Sequence, residues 1–85
     1  LAFDDINPKA PVHILVIPKA YCRDFQEFSP EQMAKMTSFI QELALLTGAD
    51  KTGYKLVTNC GAGAGQEVFH LHFHFLAGFK EKPEI

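Results

Sequence analysis

Apolar and polar positions alternate along this chain in short blocks, with one long exception. Leu1–Phe3 reads as the end of a strand, and residues 4–11 form a turn rich in Asp, Asn and Pro. The run VHILVIPK, Val12–Lys19, is almost continuously apolar, opened by Pro11 and closed by Pro18, and predicts a second strand. On such a strand His13 faces the same way as Leu15 and Ile17. Residues 20–28 show no clear period and read as a connector.

The long exception is helical. Ser29 is an N-cap candidate, Pro30 suits the first helical position, and Gln32 completes a Ser-x-x-Gln capping box. Met33, Met36, Phe39, Ile40, Leu43 and Leu46 then recur at three- and four-residue spacing, an amphipathic stripe expected to cover a sheet. Gly48 is the expected left-handed stop.

Two further strands follow, YKLVTN at Tyr54–Asn59 and the apolar run from Val68 to Phe75, joined by the glycine-rich loop CGAGAGQ. In the last run Val68, His70, His72 and His74 would share one face. Phe69, Leu71, Phe73 and Phe75 would form a buried stripe on the other. The order strand, strand, helix, strand, strand with short final links predicts an α+β domain, an antiparallel sheet with a helix on one face. The tail FKEKPEI is expected to be irregular.

Composition narrows what such a domain can do. Eighty-five residues make one domain, and 47% hydrophobic content supplies a core. A net charge of −2 gives no basic footprint for nucleic acid, so any phosphate site is local. No apolar run is long enough to span a membrane as a helix. Cys22 and Cys60 make no C-x-x-C pair, which favours a reducing compartment and a cytoplasmic location. The chain opens at Leu1 inside a strand, without Met, and is expected to be a piece of a longer protein.

Three of the four histidines stand at alternate positions in one apolar run. Three explanations compete. Burying three imidazoles without partners is too costly to be incidental packing. A metal site could use two of them with His13, but a row of three spans roughly 13 Å on a strand. Covalent catalysis gains from GAGAG just upstream, where glycines free the backbone for close approach to an anion. His13 taken alone reads as a hydrogen-bonded core residue.

HLHFHFL matches His-φ-His-φ-His-φ-φ, with φ apolar, and so resembles the histidine triad (HIT) superfamily. LAFDDINPKAPVHILVIPK and GYKLVTNCGAGAGQEVFHLHFHFLAG resemble the two sequence blocks of its Hint branch. The likeness covers all but the helix and the tail. It implies a HIT-like fold, a sheet of about five strands in the intact protein, and an absent N-terminal helix and strand. It also implies hydrolysis or transfer at the α-phosphate of purine nucleotide conjugates, AMP or GMP phosphoramidates, without metal or cofactor.

Under this resemblance His72 is the nucleophile that forms a nucleotidyl-histidine intermediate. His70 fixes its orientation, partly through its carbonyl, His74 bonds the phosphate and His13 supports the triad. Asn59, Gly65, Gln66, Glu67 and Val68 line the phosphate and leaving-group side. Asp5 accepts the ribose hydroxyls, and Phe3 and Ile6 pack on the base. Glu67 departs from the serine of eukaryotic members and removes a hydroxyl donor toward the leaving group, a bacterial trait. The resemblance further implies a homodimer. Other expectations stand beside it: a dinucleoside polyphosphate hydrolase of the Fhit kind, or a non-catalytic nucleotide-binding or scaffolding module.

Overall fold

A computed structural model describes residues 1–84. Four strands, β1 (Ala2–Asp4), β2 (Val12–Val16), β3 (Tyr54–Val57) and β4 (Phe73–Ala77), form one sheet in the order β1-β2-β4-β3. All three pairings are antiparallel. Helix α1 (Pro30–Thr47) and the short α2 (Ala49–Thr52) lie between β2 and β3 in the chain. The α+β class and the strand–strand–helix–strand–strand order are those expected. The strand lengths are not.

The helix begins where its sequence dictates. Ser29 Oγ accepts the Gln32 N–H at 3.1 Å, and Gln32 Oε1 accepts the Ser29 N–H at 3.0 Å, closing the capping box. Gly48 ends α1 at φ 78°, a left-handed conformation that an L side chain resists. The helix buries Met36, Ile40 and Ala44 against Val16, Phe73, Phe75 and Ala77. Burying Phe75 completely contributes about 1.5–3 kcal/mol. Phe39 and Leu46, expected in the buried stripe, are 41% and 79% exposed. The buried side of the helix is completed instead by Ala44.

Register then decides which face carries chemistry. Phe3 pairs with Leu15 and Leu15 with His74, so these three share one face. His13 and Leu76 are paired in that same set, while Val16, Phe73 and Phe75 point under α1. The helix covers one side of the sheet and leaves the histidine side uncovered by any helix.

Two predicted strands end early: β2 stops at Val16 rather than Lys19, and β3 at Val57 rather than Asn59. The connector after β2 is ordered too, with a 3-10 turn at Phe25–Glu27 capped by Asp24. Cys22 is buried and Cys60 exposed, and both are free thiols.

Replacing Ser29 by Ala removes one half of the capping box. We expect a loss of about 1 kcal/mol in urea unfolding with an unchanged m-value.

Candidate active site

The apolar run predicts a strand from Val68, yet β4 begins only at Phe73, so His70 and His72 lie off the sheet. The reason lies in β2. Ile17 exchanges both its backbone bonds with Leu1, on the β1 side. Alternation along an antiparallel strand gives the next residue to β4, and that residue is Pro18, which has no N–H. Extending the Val16–Phe73 register puts Leu71 opposite Pro18. The Leu71 N–H turns instead to the Cys22 carbonyl at 2.7 Å. The alternation of burial survives the end of the strand: Leu71, Phe73 and Phe75 are buried, and the histidines between them are partly open. Phe69, expected in that buried stripe, lies outside it at 37% exposure.

The triad is therefore not a straight row. The His72 and His74 ring centroids are 5.1 Å apart, and those of His74 and His13 are also 5.1 Å apart. The His70 ring packs edge-on against Tyr21 instead, at 5.2 Å, and its buried Nε2 has no hydrogen-bond partner among the described residues. The contiguous cluster is His72, His74 and His13, with His70 contributing its backbone.

Backbone groups fix the tautomers. His72 Nδ1 lies 2.9 Å from the His70 carbonyl oxygen. A carbonyl only accepts, so Nδ1 carries the proton and Nε2 of a neutral His72 holds the lone pair. Thr58 Oγ1 donates to the His72 carbonyl at 2.8 Å and holds the same residue from its other side. His13 Nδ1 accepts the Lys9 N–H at 2.9 Å, so the His13 proton sits on Nε2. That Nε2–H faces His74 Nδ1 at 2.9 Å and makes it an acceptor. His74 then carries its proton on Nε2, as a donor. The outcome is a nucleophilic nitrogen on one ring beside a hydrogen-bond donor on the next.

His74 is held below the ordinary histidine pKa of 6.5 by burial first, and then by the neighbouring His72 and His13, with Asp5 opposing. A neutral His74 is what the tautomer chain requires. Asp5 joins the cluster unexpectedly: one carboxylate oxygen accepts the Asn7 N–H at 2.8 Å, and the other lies 3.5 Å from His13 Nε2. His13 is 5% exposed, a buried residue with both nitrogens engaged.

The glycine loop departs from expectation. The N–H groups of Ala64, Gly65 and Gln66 bond within the loop, and that of Gly61 bonds Gln66 Oε1 at 2.8 Å. Those donors are not directed at an anion. Gln66 is buried, and its Nε2 donates to the Arg23 and Val68 carbonyls. Asn59 Nδ2 donates to Ala64 O at 2.9 Å, bracing the loop from the β3 side. Gly61 and Gly65, at φ 89° and 92°, permit this self-bonded turn. Gln66 and Asn59 thus frame the loop, whereas Glu67 and Val68 are exposed next to it. No acceptor among the described residues takes the N–H of Glu67 or Val68. Phe3 and Ile6 are exposed at the other end of the site, Ile6 at 92%.

Metal-ligating atoms do converge, but only one of them comes from the triad row. Among the described residues, Asp5, His13 and His74 place one such atom each within 4.8 Å of the others. Two of those atoms are already joined by the 2.9 Å hydrogen bond that sets the tautomers. Lys9, Thr58, Tyr21 and Cys22 also hold the site. Nothing in their local sequence marks them, since each acts through a contact distant in the chain or through its backbone.

Comparison with known proteins identifies the family. A model of the HIT domain family matches residues 1–81. The chain belongs to the HIT domain family. A HIT-like protein of Helicobacter pylori is 60% identical over 80 residues, 94% of this chain and 77% of its own length. A solved structure described as a Hit-like protein superposes with TM-score 0.88 at 59% identity, covering 92% of this chain and 76% of that one. A HIT family hydrolase from Legionella pneumophila Philadelphia 1 superposes with TM-score 0.86 at 39% identity, covering 93% and 73%. No helix among the described residues of this HIT domain is long and apolar enough to cross a membrane.

Proton linkage gives the direction of the pH response. The folded-state pKa of His74 lies below 6.5, so the unfolded chain takes up this proton first as pH falls. The His74 contribution to stability is complete above pH 6.5 and is lost as pH falls from there toward the folded pKa. Imidazole NMR titration should place His74 below 6.5, and a value above it would contradict the neutral relay.

Proposed function

We propose that this HIT domain is a nucleotide hydrolase or nucleotidyl transferase of the Hint kind, acting on nucleoside 5′-phosphoramidates through His72. The observation that carries the reading is the His72 Nδ1 contact with the His70 carbonyl, which leaves the lone pair on Nε2. His72 Nε2 attacks the α-phosphorus, a P–N(His) bond forms, and the bond to the leaving amine breaks as that amine takes a proton from solvent. Water then adds to the nucleotidyl-histidine and gives a proton back to solvent, releasing the nucleoside monophosphate and returning His72 to its neutral form.

Each neighbour has a part. His74 Nε2–H and the Val68 N–H donate to phosphate oxygens, where negative charge is concentrated in the transition state. His70 acts through its carbonyl, and His13 keeps His74 in the donor tautomer. Gly65 lets the loop turn, and Gln66 and Asn59 hold it beside the phosphate. Asp5 carboxylate oxygens retain lone pairs for the ribose hydroxyls. Phe3 stands two strands from His74 on the same face, roughly 10 Å away, about the reach from a purine base to its 5′-phosphate. Phe3 and the exposed Ile6 form the part of the base pocket supplied by this segment. Glu67 faces solvent on the leaving-group side.

The full protein is proposed to extend beyond this segment with a further helix and strand, to reside in the cytoplasm, and to form a homodimer. β3 is an edge strand with exposed Tyr54 and Leu56, and α1 exposes Phe39, Leu45 and Leu46. A second copy covering these would bury surface that costs free energy in water.

His72→Ala should abolish turnover of adenosine 5′-phosphoramidate, with mass spectrometry showing a nucleotidyl adduct on the triad peptide of quenched wild type alone. Chelators should leave the rate intact. Faster turnover of a diadenosine polyphosphate than of the phosphoramidate would move the assignment to the Fhit kind. Sedimentation should give twice the protomer mass, and Leu56→Glu should lower it.

A further inference from the structure

The two histidines that matter for orientation, His70 by its carbonyl and His72 by its ring, lie beyond the reach of the sheet. Something else must hold the segment Phe69–His72. Thr58 donates to the His72 carbonyl, and the connector after β2 holds the residues before it. The Cys22 carbonyl takes the Leu71 N–H at 2.7 Å, and the Tyr21 hydroxyl donates to the Phe69 carbonyl at 2.8 Å. The Tyr21 ring also lies edge-on against His70. Two residues after Tyr21, Arg23 gives its carbonyl to Gln66 and stacks its guanidinium 4.7 Å over the Phe69 ring.

These contacts grip successive peptide groups. The peptide between His70 and Leu71 offers its carbonyl to His72 Nδ1–H and its N–H to Cys22. A peptide that donates on one side becomes a better acceptor on the other. The preceding peptide, between Phe69 and His70, is held at its carbonyl by Tyr21. Rotation of either would swing the His70 oxygen away from the His72 ring. The anchors reach this segment because Pro18 ends the ladder and the chain turns back to bring Tyr21 and Cys22 alongside.

We infer that Tyr21 is a positioning residue for the histidine nucleophile, its hydroxyl locking the Phe69–His70 peptide so that the His70 carbonyl stays on His72 Nδ1. This deepens the proposed function and rests on His72 being the nucleophile. Tyr21 is 67% exposed and packs little, so removing its hydroxyl tests orientation rather than the core.

The test is Tyr21→Phe in the full-length protein, which keeps the ring on His70 and deletes one donor. With adenosine 5′-phosphoramidate, kcat should fall about three- to fivefold, the effect of losing one ordinary hydrogen bond, while KM stays within about twofold. The hydrogen-bonded Nδ1–H resonance of His72, assigned by its loss in His72→Ala, should broaden or move upfield. The thermal midpoint should hardly change. An unaltered resonance, or a kcat equal to wild type, overturns the assignment, as does a rate loss matched by a lowered midpoint with the resonance intact. Because the resonance is read without substrate, the clamp can be judged even if wild type hydrolyses nothing. That last result would overturn the nucleophile reading instead.

Discussion

The site depends on the one-way character of backbone hydrogen bonding. An amide N–H can only donate and a carbonyl can only accept, so each fixes the role of whatever ring it meets. Here the Lys9 N–H begins one chain, through His13 to His74, and the His70 carbonyl ends another, at His72. Two neighbouring imidazoles that could exchange roles freely in water are assigned opposite ones, acceptor and donor. Burial reinforces this by disfavouring the protonated form of His74, whose added Nδ1–H would oppose the Nε2–H of His13.

A second constraint is the division of labour at Pro18. Up to Val16 and Phe73 the sheet positions side chains by register, and this puts Phe3, Leu15 and His74 in line across three strands. Beyond it, positioning passes to individual bonds from Tyr21, Cys22, Thr58 and Gln66. The segment carrying His70 and His72 thus stands at the margin of the sheet. There its backbone can approach a ligand, and its orientation depends on a few identifiable contacts. The glycine loop belongs to the same arrangement. Its flexibility as a sequence is used to fold on itself, and Gln66, buried inside, ties it to the connector.

Several features are legible in the residues themselves. The capping box and Gly48 bound the helix because their effects are local, and local bonds are written in adjacent residues. The alternation of apolar and histidine positions distinguishes the buried face of β4 from the open one. Alternation cannot say where the strand begins, since pairing depends on a partner strand and on a proline far away in sequence. Nor can it show Phe39 and Leu46 exposed, because helical period locates a stripe but not the width of the surface that covers it.

By itself the sequence determined the α+β class, the order of elements, the helix ends and the residue types of the site. Those follow from propensity, period and capping, all of which act within a few residues. Only the tertiary structure decided that His70 parts from the other triad rings, that Asp5 turns to His13, and that Lys9, Thr58 and Tyr21 hold the site. These contacts join groups brought together by a turn of the chain or by sheet register, and a hydrogen bond between them leaves no local mark in the residues that make it.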